Sequence, residues 1–219
     1  LRWAGDLGAA RQAIARWEIE VGEKSSLPLL RLGEVEFLDG HYNEAAASFG
    51  DAARLARLAD WNDDLRVGQA QLGRAAALVK AGRNGEAVPL LVELQQNSTR
   101  GYAYQMSRGN RDTAAEFAAL AYHASVQLAD HQSATGSLNG AVDNYRAALS
   151  FAPELLDKGI RPEAVHNNLA LAYLGLGDIE HAQASITKAV DSDPKNPVFL
   201  MSAGFVAERA GDTGRAIED

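Results

Sequence analysis

His123, Asp130 and His131 are the residues of this chain whose types suit a metal ion, since two imidazoles and a carboxylate are donors that a zinc or similar divalent site uses. Seven and eight residues apart on a predicted helix, they share a face. Two turns nevertheless put His123 about 10 Å from the others by helical rise, too far to ligate one ion, so packing or solvation is their expected role. The string DSDPKN at residues 191–196 opens like a calcium loop but lacks the glycine and bidentate glutamate that must follow, and it reads as a turn. Gly175-Leu176-Gly177 begins like a phosphate-binding fingerprint, yet that fingerprint follows a strand and here a helical pattern precedes it. The chain has no cysteine, hence no thiolate nucleophile and no disulfide. No spacing gathers a nucleophile, a base and an orienting group. No catalytic residue, metal or cofactor is assigned.

The elements that position these residues show a regular spacing. A glycine is followed five residues later by an alanine at Gly5/Ala10, Gly40/Ala45, Gly82/Ala87, Gly136/Ala141, Gly177/Ala182 and Gly211/Ala216. Nine residues past the glycine sit Ile14, Phe49, Leu91, Tyr145 and Ile186, and twelve past it Trp17, Ala52, Leu94, Ala148 and Ala189. Positions five, nine and twelve form one stripe of a helix, which a neighbouring helix must cover. A turn glycine followed by a close-packed alanine, used again and again, is the mark of a helical repeat. Nothing in the pattern predicts a strand.

The clearest repeat is residues 163–196, where Leu169, Ala170 and Tyr173 precede Gly177 and Pro194 follows it. Its stretch NNLALAYLGLGDIEHAQASITKAVDSDP resembles a tetratricopeptide repeat, the thirty-four-residue helical hairpin with a turn glycine, an alanine opening the second helix and a closing proline. The resemblance implies an all-α, right-handed superhelical solenoid of antiparallel helix pairs, about five units with truncated ends. The expected units are 1–25 (partial), 26–67, 68–112, 113–162, 163–196 and 197–219 (partial), the last beginning thirty-four residues after its predecessor and carrying Leu200, Gly204, Gly211 and Ala216. A leucine at position 1 and a pattern broken at both ends lead us to expect a fragment of a longer protein. Two places absorb the irregular glycine spacing. A helix is expected to extend toward Trp61 before a polar break at residues 62–64, leaving open whether Gln71 and Arg74 or Leu72 and Gly73 face the core. Residues 97–112, NSTRGYAYQMSRGNRD, are expected to be an irregular insertion.

A net charge of −8 argues against nucleic acid, whose phosphates need clustered Lys and Arg. No run of eighteen apolar residues predicts a membrane span, and no signal peptide is evident, so a cytoplasmic location is the default expectation. Residues 163–219 hold nine acidic side chains against four Lys and Arg, which either form a solvated face or steer a basic segment of a partner. The resemblance implies a concave groove lined by the first helix of each unit, and mapping it selects Asn167, Asn168, Leu171, Met201, Phe205 and Glu208. Upstream the same mapping gives His123, Gln127 and Asp130, then Arg31, Glu34 and Phe37, with Leu27 and Leu30 adding apolar surface. Asparagine amides bind an extended backbone through a donor and an acceptor at once, which makes Asn167 the leading candidate. The expected function is a protein- or peptide-binding scaffold without catalysis of its own. The alternatives are a ligand- or peptide-sensing domain of a bacterial transcriptional regulator and a substrate-docking appendage of an enzyme; oligomeric state is left open.

Overall fold

The structure is a computed structural model that describes residues 6–21, 25–58 and 64–211. Its helices are α1 (Leu7–Val21), α2 (Leu27–Leu38), α3 (Tyr42–Leu58), α4 (Asp64–Lys80), α5 (Asn84–Ser107), α6 (Arg111–Ala134), α7 (Leu138–Phe151), α8 (Glu163–Leu176), α9 (Ile179–Ser192) and α10 (Pro197–Ala210), with a 3-10 helix (Ala152–Lys158) between α7 and α8. No strand occurs among the described residues. Two compact bodies divide within α6, Leu1–Leu120 and Ala121–Asp219, and in each consecutive helices pack as antiparallel hairpins. Asp64 already opens α4, so the first turn of that helix falls in the range expected to end the preceding unit. Gly5, Trp61 and Ala216 lie outside the described residues.

The turns at Gly40, Gly82, Gly136 and Gly177 share one hydrogen bond. At Gly177, φ is +77°, its N–H donates to the Leu174 carbonyl and the Asp178 N–H donates to the Tyr173 carbonyl at 3.0 Å, closing the helix in a Schellman motif. A side chain in this left-handed conformation costs about 1–2 kcal/mol, which explains why glycine recurs there. The bond five residues back repeats from His41 to Glu36, Arg83 to Leu78 and Ser137 to Gln132. The alanines that follow, Ala45, Ala87, Ala141 and Ala182, are all fully buried, as the spacing requires. Gly109 adopts the same positive φ and is followed five residues later by buried Ala114, a further instance of the pattern; Gly159 shares the φ, but Ala164 five residues on is exposed.

In the N-terminal body Phe49 of α3 is the wedge. A Cβ built at Gly33 of α2 or Gly73 of α4 would lie 2.8 or 2.7 Å from its ring, so both helices approach it through bare backbone. Of the register left open above, each alternative holds in part: Gly73 faces the ring, Gln71 is buried with its amide donating to Glu93, and Leu72 and Arg74 are half-buried, Arg74 beside Gly50.

The irregular insertion expected at residues 97–112 is corrected. Residues 97–107 continue α5 without a break, and a turn at Arg108–Asn110 leads directly into α6. The buried stripe Ala87, Leu91, Leu94 carries on through Ser98, and at Gly101 a Cβ would meet the Phe117 ring at 2.6 Å. The stripe keeps helical spacing but swaps large apolar residues for serine and glycine, which lets α6 come close. Polar composition hid it.

In the C-terminal body Ala141, Tyr145, Ala148, Leu155, Leu169, Ala170, Ala172, Ala182, Ile186 and Ala189 form the interior. Gly175 proves to be a packing position, since a Cβ there would meet Leu138 at 2.6 Å. The DSDPKN string is the expected turn: Asn196 caps α10 by accepting the Val198 N–H at 3.1 Å and donates to Asp193.

Candidate partner-binding groove

On α8 the residues Asn167 and Asn168 begin a polar network. Asn167 donates its amide N–H to the Asn168 oxygen at 3.2 Å, Asn168 donates to the Asp130 carboxylate at 3.3 Å, and the Tyr145 hydroxyl donates to the same carboxylate oxygen at 2.5 Å. The chain of bonds ties the end of α6 to α7 and α8. Burial, then the bond to Asp130, pushes the Tyr145 phenol far above its ordinary range, so it stays a donor at any physiological pH. The Asn167 side-chain oxygen is enclosed without a partner, a position that ordinarily costs about 1–3 kcal/mol. Asn167 is only 4% exposed, so it braces the network, while half-buried Asn168 and exposed Asp130 are the members that reach solvent. The leading role shifts from Asn167 to its neighbour.

A second set of side chains on α8 and α10 is apolar and exposed. Leu171 on α8, with Val198, Met201 and Phe205 on α10, is exposed, Met201 at 57% and Phe205 at 48%. The three α10 residues are spaced by three and four and so share one face with exposed Glu208. Helices α8 and α10 are in contact. Of the acidic residues in 163–211, Glu208 alone occupies a mapped groove position; the others sit chiefly at the ends of α9.

His123 and Gln127 are half-buried on α6. The His123 ring meets Tyr122 edge-on at 5.3 Å, and burial pushes its pKa below the ordinary value, which keeps it neutral near pH 7. Among the described residues no three His, Asp or Glu side chains gather closely enough to hold a metal ion. In the N-terminal body Arg31 and Glu34 are bonded to one another, the guanidinium donating to both carboxylate oxygens at 2.8 and 2.7 Å. Phe37 packs edge-on against Tyr42, centroids 5.4 Å apart, beside the core of α2, α3 and α4. Leu30, offered above as groove surface, is buried in that core. The structure therefore brings together Asp130, Asn167 and Asn168 in one network, and it leaves Leu171 on α8 and Met201, Phe205 and Glu208 on α10 exposed. Val198, which the groove mapping also selects, is exposed on the same α10 face as Met201 and Phe205.

No helix among the described residues is long and apolar enough to cross a membrane. A family profile described as tetratricopeptide repeat matches residues 164–196. Among curated proteins the chain is similar to the Photosystem I assembly protein Ycf3 of Synechococcus sp. (strain WH7803), 32% identical over 78 residues, which is 36% of this chain and 43% of that protein. It is similar also to the protein of that name from Prochlorococcus marinus (strain MIT 9211), 29% identical over 86 residues, 38% of this chain and 47% of the relative. The chain thus spans less than half the length of these relatives. Among solved structures, BtubC (BKLC) from P. vanneervenii superposes with a TM-score of 0.72 at 16% identity, covering 96% of this chain and 84% of that one. A putative kinesin light chain of nearly identical TPR-like repeats from Podosopora anserina reaches 0.61 at 18% identity, with 87% and 89% covered. These likenesses establish the tetratricopeptide-type helical fold.

Proposed function

We propose that this chain, which carries a tetratricopeptide repeat at residues 164–196 and the helical fold of such repeats, is a scaffold that binds an extended peptide segment of a partner protein along α8 and α10. The observations that carry the reading are the exposed apolar residues Leu171 on α8 and Val198, Met201 and Phe205 on α10, helices that pack together, and the preorganised donor and acceptor network at Asp130 and Asn168. Apolar side chains of a peptide would cover the α10 row, which soluble proteins seldom leave open without use. Backbone groups of the peptide would exchange hydrogen bonds with Asn168, while Asp130 and Glu208 favour a basic residue nearby. Holding partners together requires no chemistry, and the resemblance to proteins named for assembly agrees with that role. The net charge of −8 disfavours nucleic acid as the partner.

The test is a peptide selected from a random displayed library on the wild-type protein, titrated against variants. Met201→Ser/Phe205→Ser alters exposed side chains and leaves the fold intact, yet binding is expected to weaken about tenfold or more. Asn168→Ala should weaken it independently. Selected peptides that bind all variants equally would overturn the reading.

A further inference from the structure

The opposite side of α8 carries a second feature. His166, Leu169 and Tyr173 are spaced by three and four residues, and by helical periodicity this stripe faces away from Asn168, Leu171 and Gly175. Together with residues of α7, the 3-10 helix and α9 it lines a cavity of about 580 Å3. That volume lies within the roughly 300–1,000 Å3 of small-molecule sites. Leu149, Leu156, Leu169 and Tyr173 give the cavity an apolar wall.

Its charged lining runs against the character of the chain. In a protein of net charge −8, Arg146 and Lys188 both line the cavity, and no carboxylate lines it among the described residues. Their side chains make none of the ion pairs found there, whereas Arg11, Arg31, Arg54, Arg57 and Arg83 each have an acidic partner. Two cations left facing a concavity repel one another unless an anion joins them. His166 lines the cavity as well; its Nδ1 is enclosed without a hydrogen-bond partner, which leaves Nε2 as the ring nitrogen that a ligand in the cavity could meet. Burial first, and Lys188 second, push its pKa down against the opposing pull of Glu163, so the imidazole is neutral and offers a hydrogen bond in place of charge. His181 closes another side, its ring stacked on Tyr173 at 5.1 Å and its Nδ1 held by Asp178 at 2.8 Å.

We propose that this cavity binds a small organic anion, a carboxylate or phosphate carried on an apolar body, with the anionic head at Arg146, Lys188 and His166 and the body against Leu149, Leu156, Leu169 and Tyr173. The site is separate from the peptide face and does not depend on it. Calorimetric titration with 1-naphthaleneacetate, 1-naphthyl phosphate and the neutral 1-naphthaleneacetamide tests it, the first two distinguishing the head groups. At least one anion is expected to bind saturably at one site, about tenfold or more tighter than the amide. Arg146→Gln/Lys188→Gln, both exposed positions, should erase that difference, and Ala184→Trp should block every probe. Met201→Ser/Phe205→Ser should leave anion binding unchanged. Equal binding of acid and amide, undiminished anion binding by the double variant, or no saturable binding of either anion overturns the proposal.

Discussion

Replacing Gly73 by alanine tests the packing logic directly, because two general effects of opposite sign meet at one atom. In an exposed helix the change would stabilise by about 1 kcal/mol through helix propensity. Here the new Cβ would lie 2.7 Å from two carbons of the Phe49 ring, where ordinary contact begins at 3.4 Å, and the ring has no free retreat because Gly33 of α2 holds it at 2.8 Å by the same measure. Phe49 is only 4% exposed, so it cannot escape to solvent. Overpacking of such a site costs about 1–3 kcal/mol, and with the ring hemmed from two helices the upper half of that range applies. Gly73→Ala should therefore destabilise by about 1–2 kcal/mol net. In a Phe49→Leu background the clash disappears and the same substitution should be neutral or stabilising by up to about 1 kcal/mol. Urea unfolding followed by circular dichroism at fixed temperature gives all four corners of the cycle. A stabilising Gly73→Ala in the wild-type background, or an equal effect in both backgrounds, refutes the wedge.

Ser98→Pro should cost about 3 kcal/mol and visible helical signal, since it interrupts α5 in its buried stripe; a silent substitution would restore the insertion reading. Tyr145→Phe removes the donor to Asp130 and should lower stability by about 1.5–3 kcal/mol in the same urea assay, with no loss contradicting the network. His123 and His166 have pKa values held below the ordinary one of about 6.5, so the folded chain binds fewer protons than the unfolded chain. The stability they confer is present above about pH 6.5 and is lost as pH falls through the folded-state values, so the urea midpoint should be lower at about pH 5.5 than at about pH 7.5. His123→Gln/His166→Gln should flatten that dependence, and an unchanged slope would refute the assignment.

The repeat was legible because its turns demand a backbone that glycine alone adopts freely and its helix crossings demand alanine, two constraints that survive when other positions drift. Gly40, Gly82, Gly136, Gly177 and Gly211 all have positive φ, and Ala45, Ala87, Ala141 and Ala182 are all enclosed. The second half of α5 was not legible, because Ser98 and Gly101 pack closely without being apolar, and a hydrophobic period misses them. In the groove the mapping selected Leu171, Met201 and Phe205, which are exposed, but it could not tell half-buried Asn168 from enclosed Asn167 one residue away. That distinction depends on Asp130 and Tyr145 reaching α8 from two other helices. The cationic cavity was invisible for the same reason: Arg146, His166 and Lys188 are twenty or more residues apart and meet only once α7, α8 and α9 have packed.

The most direct test of the scaffold account is amide NMR of the protein titrated with a library-selected peptide. The account predicts that shifts concentrate at Asn168, Leu171, Val198, Met201 and Phe205, with Arg146 and Lys188 unmoved. Shifts confined to other helices, with α8 and α10 silent, would contradict it.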